Sequence, residues 1–332
     1  MIQIARSMKA ISYKKYGPPE VLKLLDLSTP VPKKNEVLIQ VCAVEVTKSD
    51  CELRSFKFPV KWFWLPLRLA FGVFSPKRNV LGGYFSGVVV ALGKNAKKFA
   101  IGDEVYGCAK LKLGAYAEYI VLPETYSIAK KPQKMSFIDS ASAPLGGLNA
   151  LHFMRLAEIQ PGENILINGA GGSIGAHALQ IAKFKGLKVT AVDHSNKESF
   201  LRRLGADHFI DYKVTNVAIS SEKYDVIFDM VVNSSYSGFL NLLNPRGRYL
   251  SGNPRLSVIL RSFLTNLFTK KVSRVAIAQE SVEELEELAT MIDRGEIVSI
   301  VDRIMPMEDV IKAHHLVETE QRLGAIVISI QQ

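Results

Sequence analysis

The residues best suited to chemistry in this 332-residue chain are three glycines, Gly169, Gly172 and Gly175, set three apart in the run NGAGGSIG from Asn168 to Gly175. A helix N-terminus carries unpaired N–H groups and the positive end of the helix dipole. Both attract a phosphate when no side chain stands in the way. Gly169 permits a tight turn, Gly172 lets a pyrophosphate approach the backbone, and Gly175 lets the helix pack close to the preceding strand. Ser173 and Ile174 open that helix and complete the cradle. The triplet follows the apolar run Asn164–Asn168 and precedes a helical repeat of Ile174, Ala178, Ile181 and Ala182. Asp193 ends the next apolar run, 24 residues after Gly169. A glycine triplet alone is common in folds that bind no nucleotide; this context makes it a dinucleotide site.

Asp193 sits where a carboxylate accepts hydrogen bonds from the adenosine ribose, which favours NAD(H) and repels a 2′-phosphate. Ser195, Asn196 and Lys197 follow at once, with Arg202 and Arg203 one helix later, and these donors and cations suit that phosphate. NADP(H) is therefore favoured and NAD(H) stays open; each of these residues taken singly also fits a solvated helix start. Tyr212 closes the following strand, Asn233 follows a fourth, and Gly252 to Arg255 follow a fifth. Ligands of open α/β sheets bind at such strand C-terminal ends.

Positioning these residues requires a scaffold, and the chain reads in three sections. From Ala10 to about Lys130 short strand-like runs, Val37–Val41, Tyr84–Gly93 and Tyr116–Pro123, alternate with turns and describe a small all-β unit. Between about Ser136 and Gln279 strands and helices alternate, the pattern of a doubly wound parallel sheet, so the fold class is α/β. Its strands are read at Asn164–Asn168, to Asp193, His208–Tyr212, Asp225–Val231, Arg246–Gly252 and, sixth, Arg274–Ala278. Ser281 with Glu284 then forms a capping box for a helix, and GAIVISI is a last strand.

Composition sets the outer limits. Lys plus Arg number 42 against 32 Asp plus Glu, a formal charge of +10, and 48% hydrophobic residues exclude a disordered chain. Cys42, Cys51 and Cys108 form no C-x-x-C pair, so neither a disulfide framework nor a four-thiolate zinc site is expected, and a reducing, cytoplasmic location fits. The most lipophilic stretch, Phe56–Phe74, is broken by Lys57, Pro59, Lys61, Pro66 and Arg68, so no spanning helix is expected. The start MIQIARSM lacks the long apolar core of a signal peptide, and residues before Met8 read as an upstream start or a tail.

Over roughly Met8 to Ile330 the chain resembles the medium-chain dehydrogenase/reductase superfamily, in its zinc-free quinone oxidoreductase (zeta-crystallin-like) branch. The resemblance is carried by YGPPEVL at Tyr16, VTKSDCELR at Val46, IGDEVYG at Ile101, APLGGLNAL at Ala143, NGAGGSIG at Asn168 and LGADHFIDY at Leu204. It implies a GroES-like, β-rich catalytic domain at 1–131 completed by 280–332, a Rossmann NAD(P)-binding domain at 132–279, and a homodimer. Asn149 matches a position that faces the nicotinamide in relatives. The catalytic zinc ligands of metal-dependent members fall on Thr47, Gly83 with Tyr84, and Leu145, none of which offers a thiolate, imidazole or carboxylate. The four-cysteine structural lobe is missing as well, so no metal is assigned.

Without a Lewis acid, a nicotinamide enzyme can still reduce a substrate that is already electrophilic, such as a quinone or an α,β-unsaturated carbonyl. The leading reading is thus an NAD(P)H-dependent, zinc-independent oxidoreductase of a small lipophilic electrophile. Thr47 and Tyr84 are the candidate catalytic hydroxyls and Asp50 a weaker one; Thr47 equally fits a turn cap and Tyr84 a core residue. Phe56–Phe74, with Trp62, Phe63 and Trp64, is read as a substrate wall, with a core or interface helix and a weak peripheral membrane contact as alternatives. Arg255–Arg274 reads as an amphipathic helix with a cationic face. His314 and His315 lie on a late helix far from the motifs, and the remaining histidines share no ligand spacing. Two other functions fit less well: a metal-free enoyl-thioester reductase, and a non-enzymatic cofactor-binding protein with a basic surface. No specific nucleic-acid binding is expected, because basic and aromatic residues are not interleaved along a strand.

Overall fold

A computed structural model describes residues 4–253 and 255–330. The chain folds into two compact units. One comprises the described residues of Met1–Phe58, Phe63–Leu145 and Glu280–Gln332; the other comprises Pro59–Trp62 and Gly146–Gln279.

The first unit is built on β-branched, apolar strands. Strands β1 (Ser7–Ser12) and β2 (Lys23–Ser28) form an antiparallel ribbon. Strand β3 (Glu36–Val46) is the spine of a seven-stranded sheet with β4 (Tyr84–Leu92), β5 (Glu104–Cys108), β6 (Tyr119–Pro123) and β7 (Ser127–Lys130). Helices α1 (Lys48–Ser55) and α2 (Trp64–Phe71) lie between β3 and β4 in sequence, and α3 (Phe137–Ala141) follows β7. The next helix, α4 (Ala143–Leu156), contains the boundary between the units.

Six parallel strands make the second unit: β8 (Asn164–Asn168), β9 (Lys188–Asp193), β10 (His208–Asp211), β11 (Tyr224–Asp229), β12 (Leu243–Ser251) and β13 (Val272–Val275). Their spatial order is β10-β9-β8-β11-β12-β13, so the winding reverses between β8 and β11. In such sheets ligands bind at the strand C-terminal ends beside a reversal of this kind. Ile165, Leu166 and Ile167 of β8 and Val226, Ile227 and Phe228 of β11 are fully buried, as central strands covered on both faces must be. The connecting helices are α5 (Ser173–Phe184), α6 (Glu198–Arg203), α7 (Tyr236–Leu242) and α8 (Leu256–Phe268).

The chain then returns to the first unit through α9 (Val282–Asp293), β14 (Val301–Pro306), α10 (Val310–Glu318) and β15 (Ala325–Ser329). Ser281 and Glu284 make the expected capping box on α9. Strand β15 pairs antiparallel with the second half of β3, and β14 pairs parallel with β15. Among the described residues no helix is long and apolar enough to cross a membrane.

Three expectations are corrected. The sixth strand is Val272–Val275 rather than Arg274–Ala278. Its Ser273, polar and therefore passed over in the apolar pattern, is buried and bonded by Ser262, Asn266 and Tyr236. Helix α8 exposes Arg261, but most of its outward face is apolar rather than cationic, because the stripe it buries is Val258, Ser262 and Thr265. His314 is not remote from the motifs: its Nδ1 lies 3.3 Å from Cys51 Sγ and 3.0 Å from Arg54, both on α1, and Tyr116 is 3.1 Å from its other ring nitrogen. Burial, reinforced by the Arg54 charge, lowers the His314 pKa to about 3 and leaves the ring neutral.

Candidate active site

Each glycine of the β8–α5 turn meets a different steric demand. Gly169 has φ +82°, a left-handed conformation that glycine adopts without a Cβ penalty. A Cβ on Gly175 would lie 2.3 Å from the Gly169 carbonyl oxygen and 2.7 Å from Ala170 Cα, so α5 packs against the turn backbone with no room for a side chain. Gly172 is different: a Cβ there would meet only the Gly169 oxygen, 3.6 Å away. The space beside it is open. Gly172 is also the N-cap of α5 and supplies no side-chain cap. The adjacent Ser173 hydroxyl is buried and has no hydrogen-bond partner among the described residues. An uncapped helix start, an open approach and a buried unpaired hydroxyl together fit the pyrophosphate of a dinucleotide.

Asp193, at the end of β9, turns its carboxylate toward this turn. Oδ2 accepts from the Gly171 amide at 2.7 Å, Oδ1 accepts from the His194 amide at 2.8 Å, and Lys197 Nζ stands 3.3 Å from Oδ1. Both side chains of this ion pair are buried. Asp193 therefore holds the glycine turn in shape, and Lys197 offsets its charge. Gly171 makes this possible, because a Cβ there would press on Lys197 and Asp193. Ser195 and Tyr212 are exposed at the ends of β9 and β10, with the His194 and Tyr212 rings edge to face at 6.3 Å. Arg202 is occupied by Glu198 and the Asp207 carbonyl.

On the other side of the reversal, Asp229 at the end of β11 is fully buried. It accepts from Asn168 Nδ2 at 2.9 Å, the Val231 amide at 3.1 Å, the Tyr249 hydroxyl at 2.6 Å and the Ser234 hydroxyl. Burial raises its pKa although these four donors favour the charged form. The network fixes the loop that carries exposed Asn233, and Asn253 Nδ2 ties that loop to the end of β12 by donating to the Met230 carbonyl at 2.6 Å. Gly252 is in close contact, its Cβ position 3.0 Å from Met230 Cε. Gly146 of α4 seats equally tightly on the first turn of α5, beside Ser173 O and His177. His177 Nδ1 lies 2.8 Å from Ser173 O, and burial lowers its pKa to about 4. Asn149, one turn further along α4, is half-buried. Within this unit the structure thus brings Gly169 to Gly175, Asp193, Asn233 and Gly252 to the same ends of the strands.

The first unit holds the candidate hydroxyls. Thr47 is the N-cap of α1: its Oγ1 accepts from the Asp50 amide at 3.1 Å and donates to Asp50 Oδ2 at 2.6 Å. Asp50 also accepts from the Thr47 amide and, at 3.0 Å, from the Gly82 amide. Burial raises the Asp50 pKa, against these hydrogen bonds. Tyr84, at the start of β4, donates its phenol to Glu280 Oε1, and Cys108 Sγ donates to Oε2 at 2.9 Å. Glu280 itself has φ +53° and its carbonyl accepts from Ser127. Burial, with Cys108 and Glu280 adding to it, pushes the Tyr84 pKa well up and keeps the phenol protonated. Glu280 carries no motif in the sequence, and its partner lies 196 residues away, so only the fold reveals the pair.

Family models match two stretches of the chain. The alcohol dehydrogenase GroES-like domain family matches residues 33–133, and a family described as zinc-binding dehydrogenase matches residues 204–328. An NADPH-dependent alkenal/one oxidoreductase of Arabidopsis thaliana is 30% identical over 98% of this chain and 80% of its own length. A quinone oxidoreductase of Sus scrofa is 29% identical over 97% of each chain. The solved quinone oxidoreductase of Coxiella burnetii superposes with a TM-score of 0.84 at 30% identity, covering 98% of this chain and 100% of that one. The chain belongs to the medium-chain dehydrogenase/reductase superfamily, in its quinone oxidoreductase branch. It is an oxidoreductase that uses a pyridine nucleotide.

The positions onto which the resemblance carries the catalytic zinc ligands do not offer a zinc donor set. Thr47 is committed to the α1 cap, Gly83 has no side chain, Tyr84 is bonded to Glu280, and Leu145 is aliphatic. Among the described residues no three His, Cys, Asp or Glu side chains gather as metal ligands. Zinc does not fit these positions, whatever the name of the matching family.

Proposed function

We propose that this medium-chain reductase transfers hydride from NADPH to a quinone or an α,β-unsaturated carbonyl without a metal. The observation that carries the proposal is the open, uncapped start of α5 at Gly172, with the unpaired Ser173 hydroxyl beside it. The nicotinamide, when bound, supplies the hydride. The Gly169–Gly175 turn holds the pyrophosphate, Asn233 and Gly252 border it across the sheet reversal, and Asn149 orients the ring. Ser195 and Tyr212 are exposed, which supports their contact with the adenosine end. The Asp193 charge is already offset by Lys197 and two amides, so no bare carboxylate opposes a 2′-phosphate. This supports NADPH over NADH.

For the substrate, hydride addition to a conjugated carbon moves negative charge to oxygen, and a nearby donor lowers that barrier. We assign this to the Tyr84 phenol, held protonated by burial, whose single proton would turn from Glu280 to the substrate oxygen while Cys108 stays on Glu280. Thr47 serves as the α1 cap. Half-exposed Trp62 and Trp64 support a wall for a bulky lipophilic acceptor, whereas Phe56, Phe58 and Phe71 of the same segment are core. Three free cysteines, two of them buried, support a cytoplasmic setting, and the outer edge of β13, unpaired among the described residues, supports a homodimer. Parallel steady-state oxidation of NADPH and NADH, with a quinone and a short enone and EDTA throughout, tests the reading. EDTA-insensitive turnover preferring NADPH is expected; turnover that EDTA abolishes and zinc restores would overturn it.

A further inference from the structure

Three strand ends of the parallel sheet meet at one carboxylate. Asp229, the last residue of β11, accepts through Oδ1 from Asn168 Nδ2 at 2.9 Å and the Val231 amide at 3.1 Å, and through Oδ2 from the Tyr249 hydroxyl at 2.6 Å and the Ser234 hydroxyl. Asn168 ends β8 and runs straight into Gly169, Tyr249 lies on β12 just before Gly252, and Val231 and Ser234 flank Asn233 on the loop after β11. That loop also touches the glycine turn, Val231 Cγ2 lying 3.2 Å from the Cβ position of Gly169. From the β12 side it is pinned by Asn253 Nδ2, which donates to the Met230 carbonyl at 2.6 Å, and by Arg255, which donates to the Ser234 carbonyl at 3.2 Å.

Asp229 is fully buried, and these hydrogen bonds rather than a cation hold it there among the described residues. Burying a charge is costly unless its hydrogen bonds are complete, and an apolar residue at the end of β11 would pack as Ile227 and Phe228 do. What a complete buried network adds is a single arrangement of the groups it joins. We propose that Asp229 is a positioning residue of the cofactor site: without touching the ligand, it sets the Asn233 loop and the end of β12 in register with the glycine turn, and so governs how tightly the nicotinamide half of the dinucleotide is held. This rests on the reading that the dinucleotide binds at these strand ends. The adenosine side is shaped by Asp193, Lys197 and the Gly171 and His194 amides, which share no hydrogen bond with this network. Its affinity should therefore not depend on Asp229.

Calorimetric titration of the full chain with NADPH and, separately, with 2′,5′-ADP, which carries only the adenosine half, tests it. Asp229→Ala removes every acceptor of the network and is expected to raise the Kd for NADPH about tenfold or more, and that for 2′,5′-ADP less than about twofold. Asp229→Asn should recover most of the loss, since its amide oxygen still accepts from Asn168 and Val231 while the two hydroxyls turn to accept from its NH2. Should Asp229→Ala not fold, Asn168→Ala cuts only the tie to β8 and carries the test, with an expected rise of about fivefold for NADPH alone. Equal loss of both ligands is general loosening and overturns the proposal. So does NADPH affinity that these variants leave unchanged while Gly172→Asp abolishes it. NADPH binding that survives Gly172→Asp overturns the cofactor reading, and this proposal with it.

Discussion

Helix α1 begins at Thr47 with a complete capping box, whereas α5 begins at Gly172 with no side-chain cap and a buried Ser173 hydroxyl that finds no partner among the described residues. Both follow a strand, and both leave N–H groups to be satisfied. At α1 the chain satisfies them itself, through Thr47 and Asp50, and a cap of this kind is worth about 1 kcal/mol. At α5 it forgoes that stability and keeps the space beside the helix open. The difference separates a structural helix start from a binding one. It also supports, for Thr47, a role in folding beside the catalytic role its position suggests.

The largest expected effect breaks the open end of this comparison. Gly172→Asp puts a carboxylate beside α5 where the pyrophosphate belongs, and like charges at close range cost several kcal/mol; about 4 kcal/mol is a thousandfold. KM for NADPH should rise by that order with little change in melting temperature, and an unaltered KM would remove the basis of the assignment.

His177 beneath the same turn gives a pH signature. Its pKa is about 4 in the folded chain against 6.5 as a free side chain, so between these values the unfolded state takes up a proton that the folded state refuses. Stability is complete above pH 6.5 and falls as the pH drops toward 4, by about 3 kcal/mol from this group. Asp229, raised by burial, acts in the opposite sense, so urea unfolding of His177→Gln beside wild type isolates the effect. The variant should show the shallower acid slope; equal slopes would contradict a buried neutral histidine.

In the first unit, Tyr84→Phe keeps the ring and removes the donor to Glu280. A fall in kcat of about a hundredfold, near 2.7 kcal/mol, with KM for NADPH unchanged is expected of a group that meets developing charge. Loss of stability without loss of kcat would make Tyr84 a core residue. The smallest effect belongs to the capped helix: Thr47→Ala should cost about 1 kcal/mol in stability and leave kcat nearly intact. A collapse in kcat at unchanged stability would restore Thr47 to the reacting centre.

Much of the second unit was legible because its strands are apolar runs closed by turn residues. Strands Asn164–Asn168 and Lys188–Asp193 begin or end where the sequence places them, and the glycine triplet identifies the turn between β8 and α5. Periodicity could not say which side of α8 faces in, because hydrogen bonds to Ser273 and Tyr236 outweigh the apolar pattern. For the same reason β13 begins two residues before, and ends three before, the run read from the sequence, Ser273 being polar yet buried. The Tyr84–Glu280 and Cys51–His314 contacts join residues 196 and 263 positions apart, and no local rule links them. The engagement of Asp193 by Gly171 and Lys197 lay equally out of reach, since spacing places an acid near the turn without showing which donors it meets.

Titration of NADPH into metal-stripped protein, followed by nicotinamide fluorescence, tests the central claim most directly. The open start of α5 predicts saturable binding that ADP-ribose displaces, that survives Thr47→Ala and that Gly172→Asp abolishes. Binding that needs added zinc, or that persists undiminished in Gly172→Asp, would contradict it.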